Sequence, residues 1–500
     1  MLLEMATQGF GDRVALRSEG ESLSYSELLQ AAGAAAQRIQ DSGAQHAALL
    51  DVNSPAVPIN LFAAAWAGLP AVPLSYRLTG DELDALLERV APAHLVAEPS
   101  RSRELVGHAS AEVVSRTDFL AHAQTQARTG EARETDWPMD PDAIAVLLFT
   151  SGTTGAPKAA VLRHKHLVSY ILGSVEFGAA AEEDSTLVCV PPYHVAGIAA
   201  VLSSVYAGRR IVQLQNFSPE AWLELAREER VSTAFVVPTM LSRIVEALEG
   251  RDSADLPHLR AISYGGGKMP LAVIERSMRL FPDVAFTNAY GLTETSSTIS
   301  LLGPDDHRAA AASQAAKKRR RLASVGQPLP GVEVEIRDED GKAVPAGVRG
   351  EIHVRGEQVS GEYLGRGSLL QGEGWFPTRD GGWLDEEGYL FIEGRIDDVI
   401  VRGGENLSPG EIEDVLLDHA AVADAAVVGV PDEEWGEAVA AVVVLKPGCS
   451  ADADELRGWV KQHLRSSRAP ERFAFRPELP YNETGKLLRR RVRAELAETP

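Results

Sequence analysis

The fold of this 500-residue chain is indicated most clearly by one stretch, which reads Ala143-Ile144-Ala145-Val146-Leu147-Leu148-Phe149 and then Thr150-Ser151-Gly152-Thr153-Thr154-Gly155-Ala156-Pro157-Lys158. An unbroken apolar run of this length is typical of a strand that is buried on both faces of a sheet. The loop that follows is rich in glycines and hydroxyl groups, which can bring backbone amides and O–H donors up to an anionic ligand. We therefore predict a buried strand with a ligand-binding loop at its end.

The residues on either side of this strand alternate between helical patterns and short apolar runs. The apolar runs Ala47–Val52 and Leu69–Leu74 precede it among Ala/Leu-rich helical segments. Further strands are predicted at Thr186–Val190, Thr233–Val237, Arg260–Ser263 and Val284–Thr287, with helices at Pro219–Arg230 and Met240–Leu248. Strands that alternate with helices favour a parallel sheet covered on both faces. The predicted fold class is α/β, built from doubly wound layers.

The pattern changes after about residue 326 to short β runs punctuated by glycine, and then to a mixed unit. The β runs are Val332–Arg337, Glu351–Val354 and Tyr389–Glu393. The mixed unit contains predicted helices at Pro409–His419, Asp452–Leu464 and Leu487–Leu496 and predicted strands at Ala425–Val430 and Ala438–Leu445. We predict a large amino-terminal domain over residues 1–394, with a β-rich module at about 326–394, and a small α+β domain over residues 395–500.

The composition excludes several classes of protein. The 49 Lys and Arg residues against 71 Asp and Glu residues give a formal net charge of −22, which argues against nucleic acid or an anionic membrane as a bulk partner. The basic run Lys317–Arg321 is accordingly interpreted as an exposed helix end. Two cysteines, Cys189 and Cys449, exclude a disulfide scaffold. Because Met1–Glu4 shows no signal-peptide pattern and no apolar run approaches the ~18 residues of a membrane span, we expect a cytoplasmic protein.

The Ser/Thr/Gly loop ends in a residue that is scarce in this chain. Nine of the 49 basic residues are lysines, and Lys158 is one of them. A lysine adds a mobile positive charge to the amides and hydroxyls of such a loop, which together suit a phosphate. The loop differs from the P-loop of common nucleotide-binding proteins because Ala156 and Pro157 separate Gly155 from Lys158. An ordinary surface loop is the structural alternative.

Two further strings follow predicted strands. Three glycines in Ser263-Tyr264-Gly265-Gly266-Gly267 suggest a backbone that lies against a ligand, with a tight turn as the alternative. In Asn288-Ala289-Tyr290-Gly291-Leu292-Thr293-Glu294-Thr295, Tyr290 offers a ring for a base and Glu294 a carboxylate for Mg²⁺. A core ring and a surface charge are the alternatives for these two side chains.

Two sequence motifs in the last third of the chain carry charged residues that could also bind a ligand. Asp380 can hold two ribose hydroxyls, and Arg395, in the motif Gly394–Asn406, can reach a ribose or a phosphate. Asn482-Glu483-Thr484-Gly485-Lys486 places another of the scarce lysines on a loop near the carboxyl terminus. Taken alone, that lysine would be interpreted as a solvated loop tip.

Together these strings resemble the adenylate-forming superfamily, which includes acyl- and aryl-CoA synthetases, luciferases and the adenylation domains of peptide synthetases. The resemblance covers nearly the whole chain and keeps the order of the family's motifs. It implies an acid–thiol ligase that uses ATP, Mg²⁺ and coenzyme A. A carboxylic acid would first form an acyl-adenylate with release of pyrophosphate, and a thiol would then displace AMP.

The resemblance also implies roles for individual residues of the large domain. Thr150, Ser151, Gly152, Thr153, Thr154, Gly155 and Lys158 resemble the family's phosphate-binding loop. Gly265, Gly266, Gly267, Asn288, Ala289, Tyr290 and Gly291 resemble the adenine site, Thr293 the contact to the α-phosphate and Glu294 the Mg²⁺ contact. His194, in Pro192–Gly197, is similar to the histidine that lines the acyl pocket near the CoA tunnel.

Other roles implied by the resemblance fall near or beyond the predicted domain boundary. Asp380 and Arg395 resemble the ribose and nucleotide contacts, and Lys486 resembles the lysine that completes the adenylation site. In the family the small domain rotates between the two half-reactions, about a hinge residue to which Asp397 is similar. Gly403, Gly404 and Trp435 resemble residues that the rotation brings to the thiol.

The chain departs from the family pattern at two positions. Arg379 stands where the family commonly has glycine, immediately before Asp380. Glu471 stands where related enzymes often carry a basic residue, which leaves Arg468 and Arg472 as the remaining candidates for contacts to CoA phosphates.

Several functions remain open at this stage. The first hypothesis is a free-standing carboxylic acid:CoA ligase, monomeric or homodimeric; the alternatives are an enzyme that loads a separate carrier protein, a luciferase-like oxygenase, and a non-catalytic nucleotide- or acyl-binding protein. The last is disfavoured because Lys158, Glu294, Asp380 and Lys486 are all present.

A malonate-type ligase would be expected to carry an arginine at Ala289, so we expect a sizeable apolar, aromatic or alicyclic acid instead. The chain ends 14 residues after Lys486 (500 − 486), so no fused carrier domain is expected.

Overall fold

The computed structural model describes residues 1–18, 20–129, 137–150, 157–403, 405–432, 434–481 and 487–497, without the side chains of residues 126, 128, 129, 406 and 497. The chain divides into two compact units. The amino-terminal unit comprises Met1–Glu333 and Arg355–Phe376, and the carboxy-terminal unit comprises Val334–Val354 and Pro377–Pro500.

The α-helices of the described residues are α1 Leu2–Phe10, α2 Tyr25–Asp41, α3 Ala56–Ala67, α4 Gly80–Arg89, α5 Pro99–Glu104, α6 Arg116–Thr129, α7 His164–Ser174, α8 Val195–Ala207, α9 Pro219–Glu228, α10 Pro238–Ala247, α11 Leu271–Leu280, α12 Pro304–Ala311, α13 Ala316–Arg319, α14 Pro409–Leu417, α15 Ala453–His463 and α16 Arg489–Ala497. Short 3₁₀ helices occupy Thr293–Thr295, Arg320–Ala323, Ile396–Asp398 and Ser466–Arg468.

The strands of the described residues are β1 Val14–Ser18, β2 Glu21–Ser24, β3 His46–Leu50, β4 Ala71–Pro73, β5 Ala93–Ala97, β6 Ala111–Ser115, β7 Ile144–Thr150, β8 Lys158–Arg163, β9 Ser185–Val188, β10 Arg210–Gln213, β11 Thr233–Val236, β12 Ala261–Gly265, β13 Ala285–Leu292, β14 Ser297–Leu302, β15 Gln327–Pro328, β16 Glu333–Arg337, β17 Gly350–Arg355, β18 Glu362–Tyr363, β19 Gly367–Ser368, β20 Phe376–Leu384, β21 Leu390–Arg395, β22 Ile400–Arg402, β23 Glu405–Leu407, β24 Val422–Asp432, β25 Gly436–Leu445 and β26 Arg472–Phe475.

The amino-terminal unit contains two large mixed sheets among its described residues. One has nine strands in the order β15-β14-β13-β12-β11-β9-β10-β1-β2, parallel from β13 to β1. The other has eight strands in the order β19-β18-β8-β7-β4-β3-β5-β6, parallel from β7 to β6. Strand β5 is buried at every position and the central residues of β7 are buried as well, which explains why their sequences are largely apolar.

Helix α2 shows how the sequence positions the helical layer. Its N-cap Ser24 accepts a hydrogen bond from the Glu27 amide at 3.1 Å, and the Glu27 carboxylate accepts one from the Ser24 amide at 2.7 Å. This reciprocal cap satisfies amides that the first helical turn leaves without partners. The buried face is mostly alanine, and a Cβ on Gly33 would lie 2.9 Å from the Trp66 ring of α3. Small side chains thus allow α2 and α3 to pack closely.

The carboxy-terminal unit is built on two smaller sheets within the described residues. Strands β16-β17-β20-β21 form the first, and β23-β22-β25-β24 with β26 beside β25 form the second. Alternate residues of β24 and β25 pack under α14 and α15, around Ile412, Leu416, Val427 and Leu456. The other face of these strands packs against α16 through Val492 and Leu496.

The fold prediction is confirmed as mixed α/β with a smaller second domain, and its individual elements differ mainly at their ends. The sequence analysis missed β8, and it placed Asn288–Leu292 after a strand, whereas β13 runs through these residues to Leu292. The basic run Lys317–Arg321 forms α13 and the start of a 3₁₀ helix, mostly exposed, although Arg321 is buried. The division into units groups β20 and β21 with the carboxyl-terminal residues; the boundary at residues 394 and 395 and the hinge at Asp397 stay predictions.

Candidate active site

Strands β7 and β8, which flank the Ser/Thr/Gly segment in sequence, pair as an antiparallel hairpin. Thr150 and Lys158 are directly opposite each other, and the Thr150 hydroxyl donates to the Lys158 carbonyl at 3.4 Å. Arg89, at the end of α4, lies 4.9 Å from the centre of the Phe149 ring and donates to the Pro157 carbonyl. The residues at the two ends of the Ser/Thr/Gly segment, which we call its neck, are therefore fixed by these contacts. Ser151, Gly152, Thr153, Thr154 and Gly155 lie outside the described residues.

Glu294 is brought to this hairpin by a side chain that the sequence analysis did not single out. Glu294 lies in the 3₁₀ helix after β13, and its carboxylate Oε1 accepts a hydrogen bond from the Tyr363 hydroxyl. The Lys158 ammonium lies 5.6 Å from the centre of the same Tyr363 ring. Lys158 and Glu294, which stand 136 residues apart (294 − 158), thus meet on one tyrosine.

The residues around Glu294 fit Mg²⁺ bound together with a nucleotide. Glu294 is half-buried and presents a hard oxygen ligand. Mg²⁺ is commonly held by one or two carboxylates and by the phosphates of the substrate, because it keeps much of its coordination for water and phosphate oxygens. Over the described ranges no group of three or more His, Cys, Asp or Glu side chains could hold a metal by itself. One carboxylate plus substrate phosphates is the arrangement that the described residues offer.

The predicted adenine-site residues lie at the ends of the adjacent parallel strands β12 and β13. Gly265 and Ala289 are opposite each other, and a Cβ on Gly265 would lie 2.2 Å from the Ala289 carbonyl oxygen. Gly266 has φ +83°, which favours glycine. The side-chain amide of Asn288 donates to the Ser324 carbonyl at 3.0 Å, so it supports the backbone. The structure therefore brings these segments together; Gly267, Tyr290, Gly291 and Thr293 lie in the same segments, the last three half-buried.

His194 stands at the N-cap position of α8 in a cluster of aromatic rings. The ring centres of Tyr193 and His194 are 4.6 Å apart, and those of Tyr76 and Tyr193 are 5.4 Å apart. Within the described residues, His194 Nε2 and the Tyr193 hydroxyl are buried without a hydrogen-bond partner. Burial lowers the pKa of His194 to about 4, so its imidazole is neutral at pH 7.

In the carboxy-terminal unit, Asp380 and Arg395 face each other across the β20–β21 pair. Arg395 Nε lies 3.0 Å from Asp380 Oδ1, and a terminal nitrogen of Arg395 donates to the Thr378 carbonyl at 2.8 Å. Asp380 is 7% exposed, and its amide donates to the Thr378 hydroxyl at 3.1 Å. The two residues predicted to contact the nucleotide therefore form one oriented pair.

Arg379 adopts a backbone conformation that explains why glycine would be favoured at this position. Its φ is +63°, in the left-handed region that a side chain makes costly. Its guanidinium pairs with Asp397 Oδ1 at 2.7 Å, and its amide donates to Glu351 at 3.1 Å. The Arg379–Asp397 pair is about half exposed, so solvent screens it and its contribution is small.

We expect Arg379→Gly to be more stable than Arg379→Ala by about 1 kcal/mol. Both variants lose the pair with Asp397, but only glycine relieves the left-handed strain. Urea unfolding of the two variants measures the difference. Equal midpoints, or a more stable alanine variant, would show that the backbone at Arg379 is not strained.

The residues predicted to face the thiol also meet in the carboxy-terminal unit. The Gly403 amide donates to the Trp435 carbonyl at 2.8 Å, and a Cβ on Gly403, where φ is +56°, would lie 2.9 Å from the Trp435 ring. Arg402 lies 4.8 Å from the centre of that ring and pairs with Glu471. Glu471, where a basic residue is common, thus neutralises the arginine beside Trp435. Gly404 lies outside the described residues.

Lys486 belongs to the segment 482–486, which lies outside the described residues. The residues at its ends are held: Tyr481 and Leu487 form an antiparallel bridge, and the Leu488 amide donates to the Pro480 carbonyl at 2.8 Å. The Tyr481 hydroxyl donates to the Asp424 carboxylate at 2.9 Å. The described residues on either side of this segment are therefore held close together.

Sequence reasoning missed Tyr363, Arg89 and the aromatic neighbours of His194. Tyr193 lies next to His194 within Pro192–Gly197, and its aromatic side chain was the signal available in the sequence. Tyr363 and Arg89 act through contacts to residues 60 or more positions away, which local sequence does not reveal. Among the helices that the structure describes, none is long and apolar enough to cross a bilayer.

The fold, a large α/β unit followed by a smaller one, is that of the adenylate-forming enzymes. A family model described as AMP-binding enzyme matches residues 3–364, and one described as AMP-binding enzyme C-terminal domain matches residues 411–486. The chain belongs to this family. The predicted superfamily and the predicted class of enzyme, an AMP-forming acid–thiol ligase, are confirmed.

Three similar proteins illustrate the family. Feruloyl-CoA synthase of Amycolatopsis sp is 32% identical over 487 residues, which cover 96% of this chain and 95% of that protein. A fatty acid–acyl-carrier-protein ligase of Streptomyces coeruleorubidus is 32% identical over 495 residues, covering 96% and 92%. The structure of o-succinylbenzoate CoA synthetase from Bacillus subtilis with its acyl-adenylate intermediate has a TM-score of 0.84 at 29% identity and covers 100% of this chain and 98% of that one. The same enzyme is also known with ATP and a magnesium ion.

Proposed function

We propose that this protein is an ATP-dependent carboxylic acid:CoA ligase that works through an acyl-adenylate and takes an aromatic or other sizeable apolar acid. The observation that carries the proposal is that Lys158 and Glu294 both contact Tyr363, beside the hairpin of β7 and β8. A cation and a carboxylate held side by side suit a polyphosphate with its Mg²⁺, because the lysine can bind phosphate oxygens and the carboxylate can bind the metal.

In the first half-reaction the enzyme positions two substrates and supplies no nucleophile of its own. A carboxylate oxygen of the acid attacks the α-phosphorus of ATP, the bond to the β-phosphate breaks, and pyrophosphate leaves. Thr150, Lys158 and the loop amides bind the phosphate oxygens, while Asp380 and Arg395 hold the ribose. Mg²⁺ neutralises phosphate charge when it is bound. Lys486 donates to the charge that develops at the α-phosphate, where a placed cation lowers the barrier.

In the second half-reaction the thiol sulfur of CoA attacks the carbonyl carbon of the mixed anhydride. The carbon–oxygen bond to the phosphate breaks, AMP leaves, and the thiol proton is released. Gly403, Gly404 and Trp435 hold the pantetheine arm, and Asp397 is the hinge on which the small domain turns. His194, kept neutral by burial, lines the acyl pocket and leaves Nε2 available for a hydrogen bond.

Small residues and aromatic rings in the segments predicted to line the acyl pocket support the proposed substrate class. Ala289 leaves space where a charged side chain would select a small dicarboxylate, and Tyr193 and Tyr76 offer aromatic surfaces on which a flat acid can pack. Pyrophosphate release over a panel of acids, with and without CoA, tests this. Ferulate-like and other aryl acids are expected to outperform malonate and acetate. A preference for malonate would contradict the assignment of the pocket.

A carrier protein is the second candidate acceptor, favoured by one observation. Glu471 occupies a position where a basic residue could bind a CoA phosphate, and it neutralises Arg402. One relative of similar identity is named as a ligase for acyl-carrier protein. Thioester formation with free CoA supports the ligase. Acid-dependent release of pyrophosphate with no CoA thioester would favour the carrier.

Gly403→Ala is expected to slow thioester formation by about 100-fold and to leave adenylation unchanged. The added Cβ would lie 2.9 Å from the Trp435 ring and would displace it. Gly448→Ala is a matched control, because Gly448 also has a positive φ, +75°, but has nothing within 4 Å of its Cβ position. Stopped-flow measurement of each half-reaction separates the steps. If both variants behave alike, the Gly403–Trp435 contact is not part of the thiol site.

A further inference from the structure

We propose that Tyr363 is a positioning residue for adenylation, which sets the orientation of Glu294 through its hydroxyl and supports Lys158 through its ring. This inference rests on the proposed function, because it takes Glu294 and Lys158 to be the residues that receive MgATP. The geometry that carries it is a single side chain in contact with both charges.

The backbone of Tyr363 is fixed near one edge of the eight-stranded sheet, between β19 and β8. Tyr363 lies in β18, directly opposite Ala160 of β8, and the amide of Leu364 donates to the Ala159 carbonyl at 2.9 Å. Lys158 opens β8, so tyrosine and lysine are carried by adjacent strands. Their relative position is therefore set by the sheet.

The same segment also holds the backbone of Glu294. The amides of Ser360 and Gly361 donate to the Glu294 carbonyl at 2.9 and 3.0 Å. The side-chain amide of Gln358 donates to the carbonyls of Thr295 at 3.0 Å and Thr298 at 2.7 Å. Residues 358–363 thus fix the backbone of the turn that carries Glu294, and the hydrogen bond from the Tyr363 hydroxyl fixes its carboxylate as well.

A neutral partner of this kind holds each charge without cancelling it. The hydroxyl uses one lone pair of Oε1, and a carboxylate has about four such sites, so capacity remains for a metal ion. The face of an aromatic ring attracts an ammonium ion but leaves its three N–H donors able to bind phosphate oxygens. Tyr363 can therefore orient Glu294 and Lys158 before the nucleotide arrives.

Calorimetric titration with ATP, in excess Mg²⁺ and separately in EDTA, tests this role without turnover. Tyr363→Phe keeps the ring and loses the hydroxyl. We expect it to weaken MgATP binding by about tenfold or more, the usual effect of removing a group that orients a metal ligand, and to leave metal-free ATP binding unchanged. Tyr363→Leu also loses the ring and should weaken metal-free ATP binding as well. Tyr206→Phe, the same chemical change in α8, should match the wild type.

A double-mutant cycle with Glu294→Gln makes the test specific. If the hydroxyl acts through the carboxylate, Tyr363→Phe should have little further effect in the Glu294→Gln background. Three outcomes would overturn this inference without affecting the proposed function. These are wild-type MgATP affinity in Tyr363→Phe, an equal loss of ATP affinity with and without Mg²⁺, and additive effects in the cycle. A wild-type protein that binds MgATP no better than metal-free ATP would overturn the proposed function as well.

Discussion

Lys486→Ala is expected to lower the rate of acyl-adenylate formation by about 10²–10³-fold or more, while thioester formation from a preformed acyl-adenylate stays close to wild type. The reason is chemical: in the proposed mechanism the lysine stabilises charge that develops at the α-phosphate during the first half-reaction. In the proposed second half-reaction the small domain has turned, so the lysine is no longer at the phosphate when AMP leaves. Burst measurement of pyrophosphate and single-turnover measurement with synthetic acyl-adenylate report the two steps separately.

Lys461→Ala provides the control for loss of a lysine charge, because Lys461 is exposed on α15 in the same unit. It should leave both half-reactions unchanged. If Lys486→Ala slows both half-reactions equally, the lysine acts in general binding or folding. If it slows neither, the resemblance of the 482–486 loop to the family's loop does not extend to its role.

Glu294→Gln is expected to reduce adenylation by about 10²-fold or more and to remove the dependence of ATP affinity on Mg²⁺. The amide has nearly the shape of the carboxylate and can still accept from the Tyr363 hydroxyl, but it lacks the negative charge that a hard cation requires. ATP–pyrophosphate exchange measures the rate, and titration with ATP at several Mg²⁺ concentrations measures the metal dependence.

Glu249→Gln is the matched control, since Glu249 is an exposed carboxylate of the same unit. It should retain the wild-type metal dependence. An unchanged Mg²⁺ dependence in Glu294→Gln would place the metal on another residue and would separate Glu294 from the nucleotide site.

The fold was predictable from sequence wherever burial leaves a strong pattern. The centre of β7 is buried and its sequence is apolar from Ile144 to Phe149, so its position was predicted to within one residue. Strand β9, which begins with Ser185 and Thr186, was predicted to within two residues. β8 was missed because its first residue, Lys158, belongs to a polar motif and only four residues after it are apolar. The predicted end of β13 came too early because Tyr290 and Gly291 resemble loop residues in the sequence, although they pair with β14.

The candidate site was predictable as a set of motifs but not as an arrangement. Thr150, Glu294, Asp380 and Arg395 were chosen from residue type, order and resemblance, and the pairing of Asp380 with Arg395 and of Thr150 with Lys158 follows from strand register. Tyr363 could not be found this way, because its partners are far apart in sequence and its own neighbours carry no motif. At Arg379 the unusual residue was visible in the sequence, whereas its left-handed backbone and its pair with Asp397 require the structure.

The central claim is that this chain activates an acid as its adenylate and then transfers the acyl group to CoA. Rapid-quench analysis of a single turnover with an aryl acid and MgATP tests it most directly. The account predicts acyl-adenylate and pyrophosphate in equal amounts before CoA is added, and acyl-CoA with AMP afterwards. Formation of ADP and phosphate, or the absence of any adenylate with every acid tried, would contradict it.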